Sequence, residues 1–367
     1  MTDSRHPELR IAVFAIIVMA LLAGIGSGLS RLPIPMPDPT PTLVAWHGPL
    51  MVSAFFGTVI SLERAIAIKT PFAYTAPLLN AIGTLILLTS HHVPAAQLFA
   101  VAAAIVLTTV SLKVVVDMNA DFTQLLALAA ACWIGAGVTW WLTHDATRAV
   151  LLWFAFLVIT ITGERLELTR LLGTPRSAKR ACYAIVILLV LAAVGEAFTV
   201  EPSGRIFSIG LVFLAIWLMR YDIARHNLRQ RGITRYIAIC LLSGYGWLGV
   251  AGGLGLLGAF SVTSPLRDSA LHAIGLGFVM SMVFGHALII FPVITRLKLS
   301  YHAVFYFPLA LLHGSLLLRI VATSIDAAHF HPIGALGNAL TFLVFGIVMV
   351  WRVRAARSIS AGHARRL

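Results

Sequence analysis

The sequence predicts an all-α fold: a polytopic membrane helix bundle of about twelve transmembrane helices, forming one integral membrane domain over residues 1–367. Three observations predict it. Hydrophobic residues make up 59% of the chain and charged residues only 11%, with a mean hydropathy of +0.92. A soluble protein of that balance would expose far too much apolar surface. Apolar runs of about 17–25 residues, the length that crosses a bilayer, recur along the whole chain. Finally, Lys and Arg gather in alternate connections between those runs.

The runs fall at 11–30, 43–68, 76–92, 95–116, 122–143, 147–164, 181–200, 205–221, 234–260, 268–295, 302–323 and 332–352. The first follows Arg5 and Arg10 like a signal peptide, but its apolar length is too great and no A-x-A site follows, so it reads as a helix. After it, RLPIPMPDPTPT places five prolines between Arg31 and Thr42, an extended connection over the outer face. Helices 2, 6 and 10 each end in a basic inner segment: TVISLERAIAIKTP, VITITGERLELTRLLGTP and FPVITRLKLSY. Four helices separate each from the next, a spacing compatible with three arcs of four.

With the N-terminus inside, only Arg31, Arg148, Arg205, Arg267 and Arg319 fall on the outer side; the other 22 of the 27 Lys and Arg fall inside. The densest inner loop is RYDIARHNLRQRGITR, Arg220 to Arg235, and the tail WRVRAARSISAGHARRL adds another cluster. The positive-inside rule therefore predicts a multi-pass protein of the bacterial inner (cytoplasmic) membrane with both termini cytoplasmic. The net charge of +13 is accounted for by orientation and by contact with anionic membrane lipid, and nucleic acid is not an expected partner. Cys132, Cys182 and Cys240 are far apart, each within an apolar run, and no C-x-x-C-H occurs. Buried reduced thiols are expected, rather than a disulfide framework or covalent haem attachment.

Of thirteen histidines, nine fall in loops or at helix ends: His6, His91, His92, His144, His226, His302, His329, His331 and His363. Four lie inside helices, where an ionisable group is costly and marks function: His47, His272, His286 and His313. His47, in WHGPLM, and His272, opening LHAIGLGFVMSMVFGHALIIFPVI, both begin inward-running helices and form an outer pair. His286 lies about 21 Å below His272 on an ideal helix, and about 1400° of turn returns it to nearly the same face. His313, in LLHGSLLLR, lies about 16 Å from the inner end of helix 11, level with His286, and the two form an inner pair.

Imidazole on facing helices can clamp haem iron or hold copper. All four histidines are therefore candidate cofactor and metal ligands. Gly48, Gly275, Gly277, Gly285 and Gly314 beside them offer either clearance for a flat macrocycle or close helix packing. Met51, Met280 and Met282 are candidate metal ligands or packing residues. The alternative for the histidines is interhelical hydrogen bonding. Glu63 and Glu164, each followed by Arg at the inner edge, read either as a proton entrance or as local partners of snorkelling arginines.

Twelve helices, His47-Gly48 opening the second, the histidine-rich tenth, and TGERLELTR after the sixth together resemble the NnrS family. In that last stretch Gly163 and Arg165 match the family's Gly-Arg motif, whereas its proline and aromatic do not follow. More distantly, the chain resembles subunit I of the haem-copper oxidases, whose low-spin haem is ligated from helices 2 and 10. The resemblance implies that His47 and His272 ligate haem b, with copper as a further metal. Helices 6 and 7 contain no histidine, so the oxidases' copper ligands are absent, as is their His-Tyr motif. The function expected on this basis is handling of a small gaseous ligand such as nitric oxide, or respiratory electron transfer with a redox partner. The rivals are a proton-coupled secondary transporter, whose helix breaks Pro49, Pro265 and Pro292 would supply, and a membrane scaffold without a cofactor. No catalytic residue is assigned.

Overall fold

A computed structural model of the chain describes residues 7–32, 44–169, 173–327 and 329–364. The proline-rich connection falls at 33–43 and so lies outside the described residues, as do both chain ends. Among the described residues there is no strand, and twelve helices are long and apolar enough to cross a membrane. They are α1 Glu8–Leu29, α2 Pro49–Ile68, α3 Pro71–Ser90, α4 Val93–Asp117, α5 Asp121–Thr143, α6 Ala146–Thr169, α7 Arg176–Ala197, α8 Ser203–Tyr221, α9 Ile233–Leu256, α10 Arg267–Thr295, α11 Ala303–Ser324 and α12 Phe330–Arg357. This is the build of a multi-pass membrane protein. Large apolar side chains such as Leu22, Leu142, Leu191 and Leu343 point outward, as lipid-facing surface requires.

The helices at the predicted inner side run past their apolar cores. α6 continues to Thr169, and α12 runs on through the basic stretch to Ala364. Several helices stop where a residue turns left-handed: Lys69 (φ 63°), His91 (φ 55°), His144 (φ 56°) and Arg296 (φ 60°). A left-handed residue just past the last turn satisfies orphaned carbonyls. His91 and His144 are thus helix terminators. His92 and His302 cap from the other end: their Nδ1 atoms accept from the backbone N–H of Ala95 (3.2 Å) and Val304 (3.1 Å).

The chain divides into two compact units, Met1–Asp222 with α1–α8 and Ile223–Leu367 with α9–α12. In the first, α5 and α6 pack most extensively. The Trp133 and Phe156 rings stack there at 5.2 Å, both buried. In the second, α11 and α12 pack most extensively. Gly334 and Gly337 make this approach close: a Cβ on Gly334 would stand 2.7 Å from the Arg319 backbone nitrogen, and one on Gly337 would stand 2.7 Å from Ser315 Cβ. The Ser315 hydroxyl and the Asn338 amide meet at 2.7 Å in the same seam. Small residues plus a polar pair are how membrane helices adhere without a hydrophobic driving force between them.

Among the described residues, each unit holds one π-helical stretch: Pro49–Gly57 within α2 and Ala273–Met280 within α10. Such i→i+5 stretches are rare, mostly single-turn, and frequent at functional sites. Side chains hold both. Asn80 Nδ2 on α3 donates to Ser53 O (2.7 Å) and Thr58 Oγ1 (2.8 Å), while Trp133 Nε1 donates to Ser53 Oγ (3.1 Å). The Trp133 ring lies on Gly57, where a Cβ would come within 2.4 Å of it. In α10 the Trp247 ring lies on Gly277 in the same way, again with 2.4 Å to a hypothetical Cβ. Ser281 Oγ donates to Gly277 O at 2.6 Å.

Candidate functional site: the helix histidines

His47 and His272 both stand at the start of these π stretches, two residues and one residue ahead of their first positions. The π geometry changes one expectation. An i→i+5 stretch winds more residues into each turn than an α-helix does. Over the eight residues from Ala273 to Met280 the rotation lags, so fourteen residues no longer return His286 to the face of His272. The two histidines of α10 have no shared stripe from α-helical periodicity.

His47 reaches back to α1. Its Nδ1 lies 2.7 Å from Gly24 O, and its ring rests on Gly28, where a Cβ would stand 2.8 Å from His47 Cε1. The small residues of GIGSG on α1 therefore receive this imidazole. His272 Nδ1 lies 2.8 Å from Asp268 O one turn earlier, and His286 Nδ1 lies 2.7 Å from Met282 O one turn earlier. A carbonyl only accepts, so in each case Nδ1 carries the proton. In the neutral ring the lone pair then sits on Nε2. This is the tautomer in which a histidine ligates a metal through Nε2, its other nitrogen oriented by a carbonyl.

His313 differs. Indole N–H is a donor only, and Trp247 Nε1 donates to His313 Nδ1 at 2.9 Å. The rings lie nearly parallel, 6.2 Å apart. The proton of neutral His313 is therefore on Nε2, which is buried without a hydrogen-bond partner among the described residues. His313 was expected to meet His286 at one level. It is bonded to Trp247 of α9, and α11 packs on the π stretch of α10 and on the residues just ahead of it.

Gly277 and Gly285 serve helix packing against Trp247 and Cys240 of α9, whereas Gly48 and Gly314 have nothing within 4 Å of a hypothetical Cβ. Met51 and Met282 pack against Gly24 and Gly244. Among the described residues, no group of three or more His, Cys, Asp or Glu forms a metal cluster.

The second unit assembles a polar group that the sequence reading did not single out. Asp268 accepts from Arg319 twice, Oδ2 from Nε and Oδ1 from Nη2, each at 2.7 Å. His331 Nε2 donates to Oδ2 at 3.1 Å, and His272 Nδ1 lies 3.2 Å from Oδ1. Thus α10, α11 and α12 all contribute to one carboxylate beside a helix histidine. The available signal was D-x-x-x-H, which puts Asp268 and His272 on one helical face. The bidentate Arg319 partner was visible only as an outer charge. In the first unit, Glu63 lies within electrostatic range of Glu164, Arg64 and Arg165.

No relative among curated proteins matches the chain. A family model covers residues 10–354, nearly all of the structure described above, and on that match the chain belongs to the family described as a domain of unknown function (DUF8744).

Proposed function

We propose that this protein binds haem b in a bacterial inner membrane, with both termini cytoplasmic, and that His47 and His272 each supply an iron ligand. It would transfer electrons to or from a redox partner, or handle a small gaseous ligand such as nitric oxide. The observation that carries the reading is the shared tautomer of His47, His272 and His286. Three helix histidines, each with Nδ1–H held by a backbone carbonyl, have the Nε2 tautomer in which imidazole ligates a metal. Haem iron takes such a nitrogen. The donor set therefore fits the group, which would supply the redox or gas-binding chemistry, while the chain orients the ligands and excludes water.

Two further points support it. His47 and His272 open the two π stretches, and such stretches cluster at functional sites. The layout and motifs also resemble the NnrS family. His286 has the tautomer for a second metal, copper included. His313, with its proton on Nε2, is suited to donate a hydrogen bond to a small polar ligand rather than to ligate a metal.

The test is the absorption of purified protein and of its His47→Ala and His272→Ala variants. Each substitution should lower bound haem, and the two difference spectra show whether one haem or two are involved. A second reading, proton-coupled transport, is favoured by Glu63 lying within electrostatic range of Glu164. It predicts a colourless protein whose transport is lost in Glu63→Gln and Glu164→Gln.

A further inference from the structure

We propose that Asp268 is a positioning residue for His272 and tunes the electron density that His272 gives to iron. The inference rests on the haem reading above. It begins with the hydrogen-bond inventory of one carboxylate. His272 Nδ1 sits 2.8 Å from the Asp268 carbonyl and 3.2 Å from its Oδ1, so its proton is shared between backbone and side chain. The carboxylate cannot swing away, because Arg319 holds both oxygens in a bidentate clamp and His331 holds one.

The clamp comes from two other helices. The Arg319 side chain is only 11% exposed, and α12 closes over it at Gly334, where no side chain fits. The His272 ring is thereby fixed through Asp268 by α10, α11 and α12 together. The carboxylate itself is 37% exposed, so the clamp holds geometry more than it adds stability. A carboxylate on the far nitrogen of a ligating histidine fixes its ring and raises its basicity.

The sign of the effect follows. Asp268 draws the Nδ1 proton, makes Nε2 a stronger donor and favours oxidised iron. Arg319 opposes this by neutralising Asp268. Asp268→Asn should therefore raise the haem midpoint potential, and Arg319→Gln should lower it.

The experiment is a redox titration of the detergent-purified full chain carrying haem b, wild type beside Asp268→Asn, Arg319→Gln and His272→Ala. The expected result is haem lost in His272→Ala. In Asp268→Asn the ratio of reduced to oxidised haem at fixed potential should rise about tenfold, about 59 mV for one electron, with a displaced reduced spectrum. Arg319→Gln should move the opposite way. A merely structural role would lower haem content without moving the potential of the haem that remains. A colourless wild type, or an unchanged spectrum in His272→Ala, overturns the haem reading and this inference with it. Haem-loaded Asp268→Asn at the wild-type potential overturns the inference alone. Should Asp268→Asn retain no haem, Arg319→Gln decides: a potential equal to wild type overturns the proposal.

Discussion

Trp247 Nε1 donates to His313 Nδ1 at 2.9 Å, and the same indole ring lies on Gly277 in the π stretch of α10. One side chain on α9 thus fixes the tautomer of a histidine on α11 and fills the space left by a missing side chain on α10. The first unit has a parallel arrangement, in which Trp133 lies on Gly57 and donates to Ser53 Oγ. In both places a glycine within a π stretch is the seat for a tryptophan whose N–H is used.

These seats predict a contrast among glycine variants. Gly57→Ala and Gly277→Ala push a methyl into the buried Trp133 ring and the half-buried Trp247 ring, and should destabilise by about 1–3 kcal/mol, the usual range for overpacking. Gly48→Ala adds a methyl where nothing lies within 4 Å, at a right-handed helical φ of −61°. It should be neutral or stabilise by up to about 1 kcal/mol through helix propensity. Thermal unfolding of the three variants in one detergent measures the difference. Equal losses would contradict the packing account.

Asn80 supports the π stretch after His47 by donating to Ser53 O and Thr58 Oγ1 while almost fully buried. Asn80→Ala leaves those acceptors without their donor and should cost about 1–3 kcal/mol. Because the stretch follows His47, haem retention should fall with it. Haem content and unfolding temperature, measured together, report both effects.

The charge asymmetry predicts an orientation. A reporter fused after Leu367 should be cytoplasmic, and the loop from Arg220 to Arg235 should be modified by membrane-impermeant reagents only from the inside. Periplasmic activity of the fusion would overturn the assignment of sides. Three of the arginines assigned to the outer side are tied to acceptors: Arg31 to Val44 O, Arg267 to Phe260 O and Arg319 to Asp268. Arg319→Ala leaves Asp268 without its bidentate partner. As the carboxylate is about one-third exposed, the cost should be about 1–3 kcal/mol, below that of a fully buried pair.

The helices were legible because hydropathy over a bilayer's length is a dense signal, and residues such as Leu22 and Leu343 need no partner to be placed. Arg319, which loop counting puts on the same side as Arg267, bonds Asp268 beside Arg267 at the start of α10, as does His331. Rotation was not legible. The sequence AIGLGFVM carries no periodic sign that it winds as a π-helix, and that winding displaces His286 from the face of His272. Tautomers were equally hidden, since Trp247 lies 66 residues from the histidine it bonds. Asp268 could have been read from its spacing to His272, but an acidic residue at a helix start is so ordinary that only its partners distinguish it.

The central claim is that His47 and His272 hold haem. The most direct measurement is the visible absorption spectrum of the purified full chain, oxidised and then reduced with dithionite, from haem-replete cells. The account predicts a Soret band that shifts on reduction, with sharp α and β bands, lost in His47→Ala and His272→Ala. A colourless, metal-free wild-type protein from those cells would contradict it.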